Sequence, residues 1–149
     1  LGKIADLFNA AIHGGSRSFN SGENAILDAV EAELPESERE IFSKQRSAVN
    51  LVQRQRPGKL VVAYYGKASS VPEMPYQSYE YCLAEVWHNQ GKQPRKTNVV
   101  LHNGLLQSLE RSVPRSESEV REIVSVLLHP QSYQSLPEEL DSEEHGNNA

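Results

Sequence analysis

Apolar positions along this chain change their period twice. Near the N-terminus Ile4, Leu7, Phe8, Ala11 and Ile12 fall on one side of a turn of about 3.6 residues. They predict a short helix over residues 1–12. His13-Gly14-Gly15 stops it, because glycine accepts the left-handed geometry of a helix end. After a loop over 16–22, Ile26, Leu27, Val30 and Leu34 predict a second helix over 23–34, with Ser21 or Gly22 near its N-cap and Pro35 at its end. Ser37-Glu38-Arg39-Glu40 reads as a capping box that opens a third, long helix. Ile41, Phe42, Ala48, Val49 and Val52 form its apolar face, and Pro57-Gly58 ends it. Gln45 sits inside that face and is expected to bond a backbone carbonyl, since buried amides are normally satisfied.

The period then shortens. Leu60 to Tyr65 is a β-branched and aromatic run bounded by Pro57-Gly58 and Gly66, which predicts a strand. Residues 67–78 form a loop long enough to carry a function of its own. Tyr79 to His88 predicts a second strand, apolar on both faces, and Asn89 to Lys96 a polar hairpin loop. Thr97 to His102 and Leu105 to Glu110 predict two more strands. Asn103-Gly104 between them signals a type I′ turn; a single bent strand with a bulge at Gly104 is the alternative.

Helical spacing returns at the end. Ser116-Glu117-Ser118-Glu119 reads as another capping box. Val120, Ile123, Val124, Leu127 and Leu128 read as the buried face of a C-terminal helix closed by His129-Pro130. From Pro137 onward nothing can bury enough surface to order itself. The expected fold is therefore α+β. N-terminal helices precede a three- or four-stranded antiparallel meander, then come a C-terminal helix and an acidic tail. One domain over 1–136 and a flexible tail over 137–149 are the expected boundaries.

Composition changes this picture in one respect. The formal net charge is −5, but Glu138, Glu139, Asp141, Glu143 and Glu144 account for all of it. The remaining 15 acidic residues balance the 15 basic ones. A neutral body lacks the footprint of a strong nucleic-acid binder. The single cysteine, Cys82, cannot bridge within the chain, which fits a reducing, cytoplasmic setting. No apolar run approaches the roughly 18 residues of a membrane helix, and no signal-peptide pattern opens the chain. The chain starts on Leu1 rather than Met, which leaves room for residues before it.

Candidate chemistry is sparse. No glycine-rich phosphate loop and no Gly-x-Ser-x-Gly elbow occurs. The five histidines are scattered, so no metal, cofactor or catalytic set is expected. The leading expectation is a non-enzymatic protein-binding module, of inhibitor, immunity or accessory-chaperone type, whose acidic tail steers a basic partner. Its contacts are expected at Tyr76, Trp87, His88, Arg95, Arg54 and Arg56, because loops, Trp and Arg favour recognition. Two alternatives remain open. Arg54, Arg56 and Lys59 with the strand tyrosines would suit single-stranded nucleic acid, and Cys82 beside His88 or His102 would suit a hydrolase. An exposed tyrosine-rich sheet face would also serve a homodimer.

Overall fold

The structure, a computed structural model, describes residues 15–55, 59–66, 70–76, 78–90, 93–111 and 120–131. Among these residues two helices, α1 (Ser21–Glu33) and α2 (Glu36–Ala48), lead into six strands. These are β1 (Val49–Gln55), β2 (Leu60–Tyr65), β3 (Glu80–Gln90), β4 (Gln93–His102), β5 (Leu105–Arg111) and β6 (Val120–Leu128). All pairings are antiparallel, in the order β1-β2-β5-β4-β3-β6.

The chain is α+β, but the expected layout is overturned: the sheet has six strands rather than three or four, and the residues assigned to a C-terminal helix form β6. Val120, Ile123, Val124 and Val126 are β-branched and stiff at χ1, which suits a pleated surface better than a helix. Pairing then satisfies the backbone groups of β3 that face this segment, which a helix packed there would leave without strand partners. A second correction falls at the end of α2. That helix stops at Ala48, and Val49–Gln55, expected as its continuation, is β1. Val52 is fully buried and fits both periods, so burial alone did not separate them. The helix over 1–12, the Ser116 capping box, Pro57-Gly58 and the acidic tail lie outside the described residues.

Local chemistry explains the helix ends. Asn20, not Ser21 or Gly22, caps α1. Its side chain accepts the Glu23 N–H at 2.8 Å, and the Glu23 carboxylate accepts the Asn20 N–H at 2.9 Å. α2 begins at Glu36, which puts Ser37 inside the helix, and no side chain caps it. Arg39 in its first turn reaches back instead, donating to the Glu31, Ala32 and Leu34 carbonyls that end α1.

α1 lies over β3 and β6, and α2 over β5. The core forms between them: Ile26, Leu27, Val30, Leu34 and Phe42 meet Val52, Val61, Leu83, Val86, Val99, Leu101 and Leu109. Gln45, fully buried, fastens this layer. It donates to the Pro72 and Gly104 carbonyls, both at 2.8 Å, and accepts the Leu106 N–H at 2.9 Å. Asn103 (φ 51°) and Gly104 (φ 82°) take the two left-handed positions of the tight turn between β4 and β5. Gly104 is required twice over, because a Cβ there would lie 2.8 Å from the Met74 carbonyl oxygen.

Directly paired residues share a face. Cys82, Val100, Ser108 and Val62 therefore form a transverse row on the side away from the helices. The adjacent row runs Leu60, Glu110, Asn98, Glu85, Leu127. The third contains Trp87, Lys96 and Ser125. These last two rows reach the outer strand β6.

Candidate functional site

The expected contact residues do not form one site. Arg54 is consumed by structure: Nε and Nη2 donate to Glu23 Oε2 at 2.8 Å and Oε1 at 2.6 Å, and Nη1 donates to Ser16 at 3.0 Å. Glu23 is fully buried. This bidentate pair removes Arg54 from any anion-binding surface, while Arg56 lies outside the described residues. His88 is also buried, on the core face. Its Nε2 lies 2.8 Å from Thr97 Oγ1, and it is paired across the hairpin with half-buried Arg95. Burial, with a smaller contribution from the Arg111 charge, lowers its pKa to about 4, so the imidazole is neutral at pH 7.

Tyr76 joins a polar cluster that the sequence did not suggest as a unit. Its ring stacks on Tyr81, with centroids 4.4 Å apart and planes 2° from parallel. Its hydroxyl lies 2.6 Å from Glu38 Oε1 and 3.4 Å from His129 Nε2, while the Tyr81 hydroxyl lies 2.7 Å from His129 Nδ1. Burial first, and then Glu38, raise both tyrosine pKa values, so each hydroxyl keeps its single proton. Tyr76 donates a hydrogen bond to the carboxylate, and the two imidazole nitrogens of His129 face the two tyrosine hydroxyls. The cluster ties α2, the loop at 70–76, β3 and the end of β6 together. His129 adopts φ 53° there, and its N–H bonds the Leu83 carbonyl at 2.8 Å.

The same geometry places the described residues on which the two alternatives rest. Cys82 is buried, donates to the Ala84 carbonyl, and has its pKa pushed up to about 12, chiefly by burial. A bulge at Leu83 turns Ala84 onto the core face, so Cys82 and His88 point to opposite sides of the sheet. His102 packs edge-on against Tyr79. The strand tyrosines form no common platform either. Tyr65 donates to the Leu106 carbonyl, Tyr81 stacks in the cluster, and Tyr64 and Tyr79 stand apart on the surface. Among the described residues, no group of three or more His, Cys, Asp or Glu could hold a metal ion, and no helix is long and apolar enough to cross a membrane.

Exposed apolar surface does gather, at the β3–β6 side. Trp87 is 39% exposed, Val124 58% and Leu127 54%. Trp87 Nε1 donates to Glu85 Oε1 at 3.2 Å. Lys96 Nζ lies 3.5 Å from Glu85 Oε2 and 6.0 Å from the centre of the indole. These contacts hold the indole in place on the face away from the helices. Leu127 is directly opposite Glu85, and Ser125 opposite Trp87. The pairing shifts by one residue at Val124, which leaves that side chain outside the regular alternation. The sequence reading found Trp87 but assigned Val124 and Leu127 to a buried helical face.

Compared with known protein families, with characterised proteins and with solved structures, the chain matches none.

Proposed function

We propose that this chain is a non-enzymatic protein-binding module whose contact surface is the Trp87, Val124 and Leu127 patch. The observation that carries the reading is the gathering, on two neighbouring strands, of three of the five exposed large hydrophobic side chains found among the described residues. Aromatic anchors ringed by polar groups are the usual centre of a binding surface. Glu85 and Lys96 supply such a rim. The reading is an inhibitor, immunity-type or chaperone-like role in the cytoplasm. The five carboxylates of 137–149 would attract a basic partner and raise the association rate. The sequestration of Arg54 and the dispersal of the tyrosines favour a protein over single-stranded nucleic acid.

The test is an affinity capture from source-cell lysate using the intact chain, a Trp87→Ala variant and a deletion of 137–149. One protein retained at stoichiometry by the intact chain and lost with Trp87→Ala is the expected result. The deletion should slow capture and reduce its salt dependence. Equal retention by the intact chain and Trp87→Ala would move the contact surface elsewhere, and recovery of nucleic acid alone would overturn the reading.

A further inference from the structure

Among the described residues the sheet has two outer strands, and their outer sides differ. β1 is closed on its outer side at Val52: the Ser16 N–H bonds the Val52 carbonyl at 2.8 Å, and the Val52 N–H bonds the Ser16 carbonyl at 2.7 Å. Among the described residues, β6 pairs only with β3. Alternate residues of an outer strand point their N–H and C=O groups away from the neighbouring strand, and such a row is a template for another chain. Proteins usually blunt that template with charge or proline. Over Ile123 to Leu128, β6 carries neither: the sequence is Ile-Val-Ser-Val-Leu-Leu. From Ser125 to Leu128 its register with β3 is continuous, so this stretch is straight enough to receive a strand.

We infer that β6 binds its partner by strand addition, and that the occupant is an extended segment of a basic protein in which apolar residues alternate with Lys or Arg. This rests on the protein-binding reading above and specifies how that surface is used. Main-chain hydrogen bonds to Ser125–Leu128 would supply affinity. Side chains of the added strand on the face away from the helices would lie beside Leu127, with Trp87 one strand further in. Charge sets the choice of occupant. Glu85 and Glu122 stand on β3 and β6 at this side but are already engaged, Glu85 by Lys96 at 3.5 Å and Glu122 by Asn89 at 3.1 Å, so the excess of negative charge lies further along the chain. The segment carrying five carboxylates with no Lys or Arg begins at Pro137, nine residues after β6 ends. An acidic segment this close in sequence to β6 would draw basic residues toward it. A second copy of the chain is disfavoured by the same charges, because each copy carries a net −5.

Trp87 is the sole tryptophan of the chain, so its emission reports this surface directly. The probe is a capped peptide of alternating Lys and Val, titrated into the full chain while Trp87 fluorescence is followed. Two controls accompany it: the same peptide N-methylated at alternate residues, which cannot complete a ladder, and a block-sequence peptide of identical composition. The alternating peptide should shift the emission and bind at least about tenfold more tightly than either control. Leu127→Lys, an exposed substitution, should weaken it by about tenfold while the far-ultraviolet circular dichroism stays that of the wild type. Equal binding of all three peptides would overturn strand addition in favour of simple charge attraction to the tail. So would no binding by any of them. In both cases the lysate capture still decides the broader reading. A stable dimer in light scattering that Leu127→Lys dissolves would overturn the choice of occupant.

Discussion

Two acid–base pairs stand near opposite sides of one sheet, and their settings differ. Near β1, fully buried Glu23 meets Arg54, whose side chain is 12% exposed, in a bidentate pair, with Ser16 completing the shell. The same carboxylate caps α1, so removing it breaks a helix start and a strand anchor together. Near β6, Glu85 and Lys96 meet at 3.5 Å, with the Lys96 side chain 35% exposed. Water screens that pair, and its contribution to stability is small. One side of the sheet spends its charges on holding the fold; the other leaves charges and apolar groups accessible. Proximity of opposite charges is thus a poor guide to energetic weight until burial is known.

The sharpest test of this contrast is Glu23→Ala. It leaves the Arg54 guanidinium without its carboxylate in a nearly water-free site, and a destabilisation of roughly 3–5 kcal/mol is expected in urea unfolding. A smaller loss would mean that the side at β1 is less closed than its hydrogen bonds imply.

Acid should act next, on the strand that carries β6. His88 lies in β3 directly opposite Ile123 of β6. An unfolded imidazole takes its proton at about 6.5, and the folded one only near 4. Between those values the unfolded chain binds more protons. Stability from this group is therefore complete above pH 6.5 and is lost as pH falls toward 4, on the order of 3 kcal/mol in all. Urea unfolding of the wild type and His88→Gln across this window checks it: the variant should lose this component of the pH slope. An identical slope in both would assign the acid sensitivity to other groups.

The smallest effect belongs to Lys96→Ala. Its stability change should stay within about 1 kcal/mol, because the ion pair it breaks is partly solvated. Trp87 emission should nevertheless respond, since the cation beside the indole is gone. A change as large as that of Glu23→Ala would erase the distinction between the two sides.

Much of the sheet could be read from residues whose signals are local. Asn103-Gly104 specified its turn because both positions need positive φ, and few residue pairs tolerate that. Leu60–Tyr65 and the strand after it were legible from β-branched and aromatic content. The Asn20–Glu23 capping box is equally local, and it lies one residue before the expected Ser21 or Gly22. Segments 49–55 and 120–128 were different. Val49 and Val52, or Ile123, Val124, Leu127 and Leu128, fit a helical stripe as well as a strand. The deciding contribution came from distant backbone: β2 pairs with the first segment and β3 with the second.

The candidate site inherits that ambiguity. Trp87 stood out by residue type, but Val124 and Leu127 became surface groups only when β6 formed as a strand. His88 and Arg54, equally prominent in the sequence, were withdrawn by burial and by Glu23. The sequence by itself determined the apolar stripe of α1, the β4–β5 turn and the concentration of negative charge in 137–149. These depend on helical spacing, turn residues and composition, which act over a few positions. Only the tertiary structure decided that two apolar stripes become outer strands, which outer strand Ser16 bridges, and which polar side chains are buried. Strand pairing depends on hydrogen bonds between residues far apart in the chain, and no local periodicity encodes them.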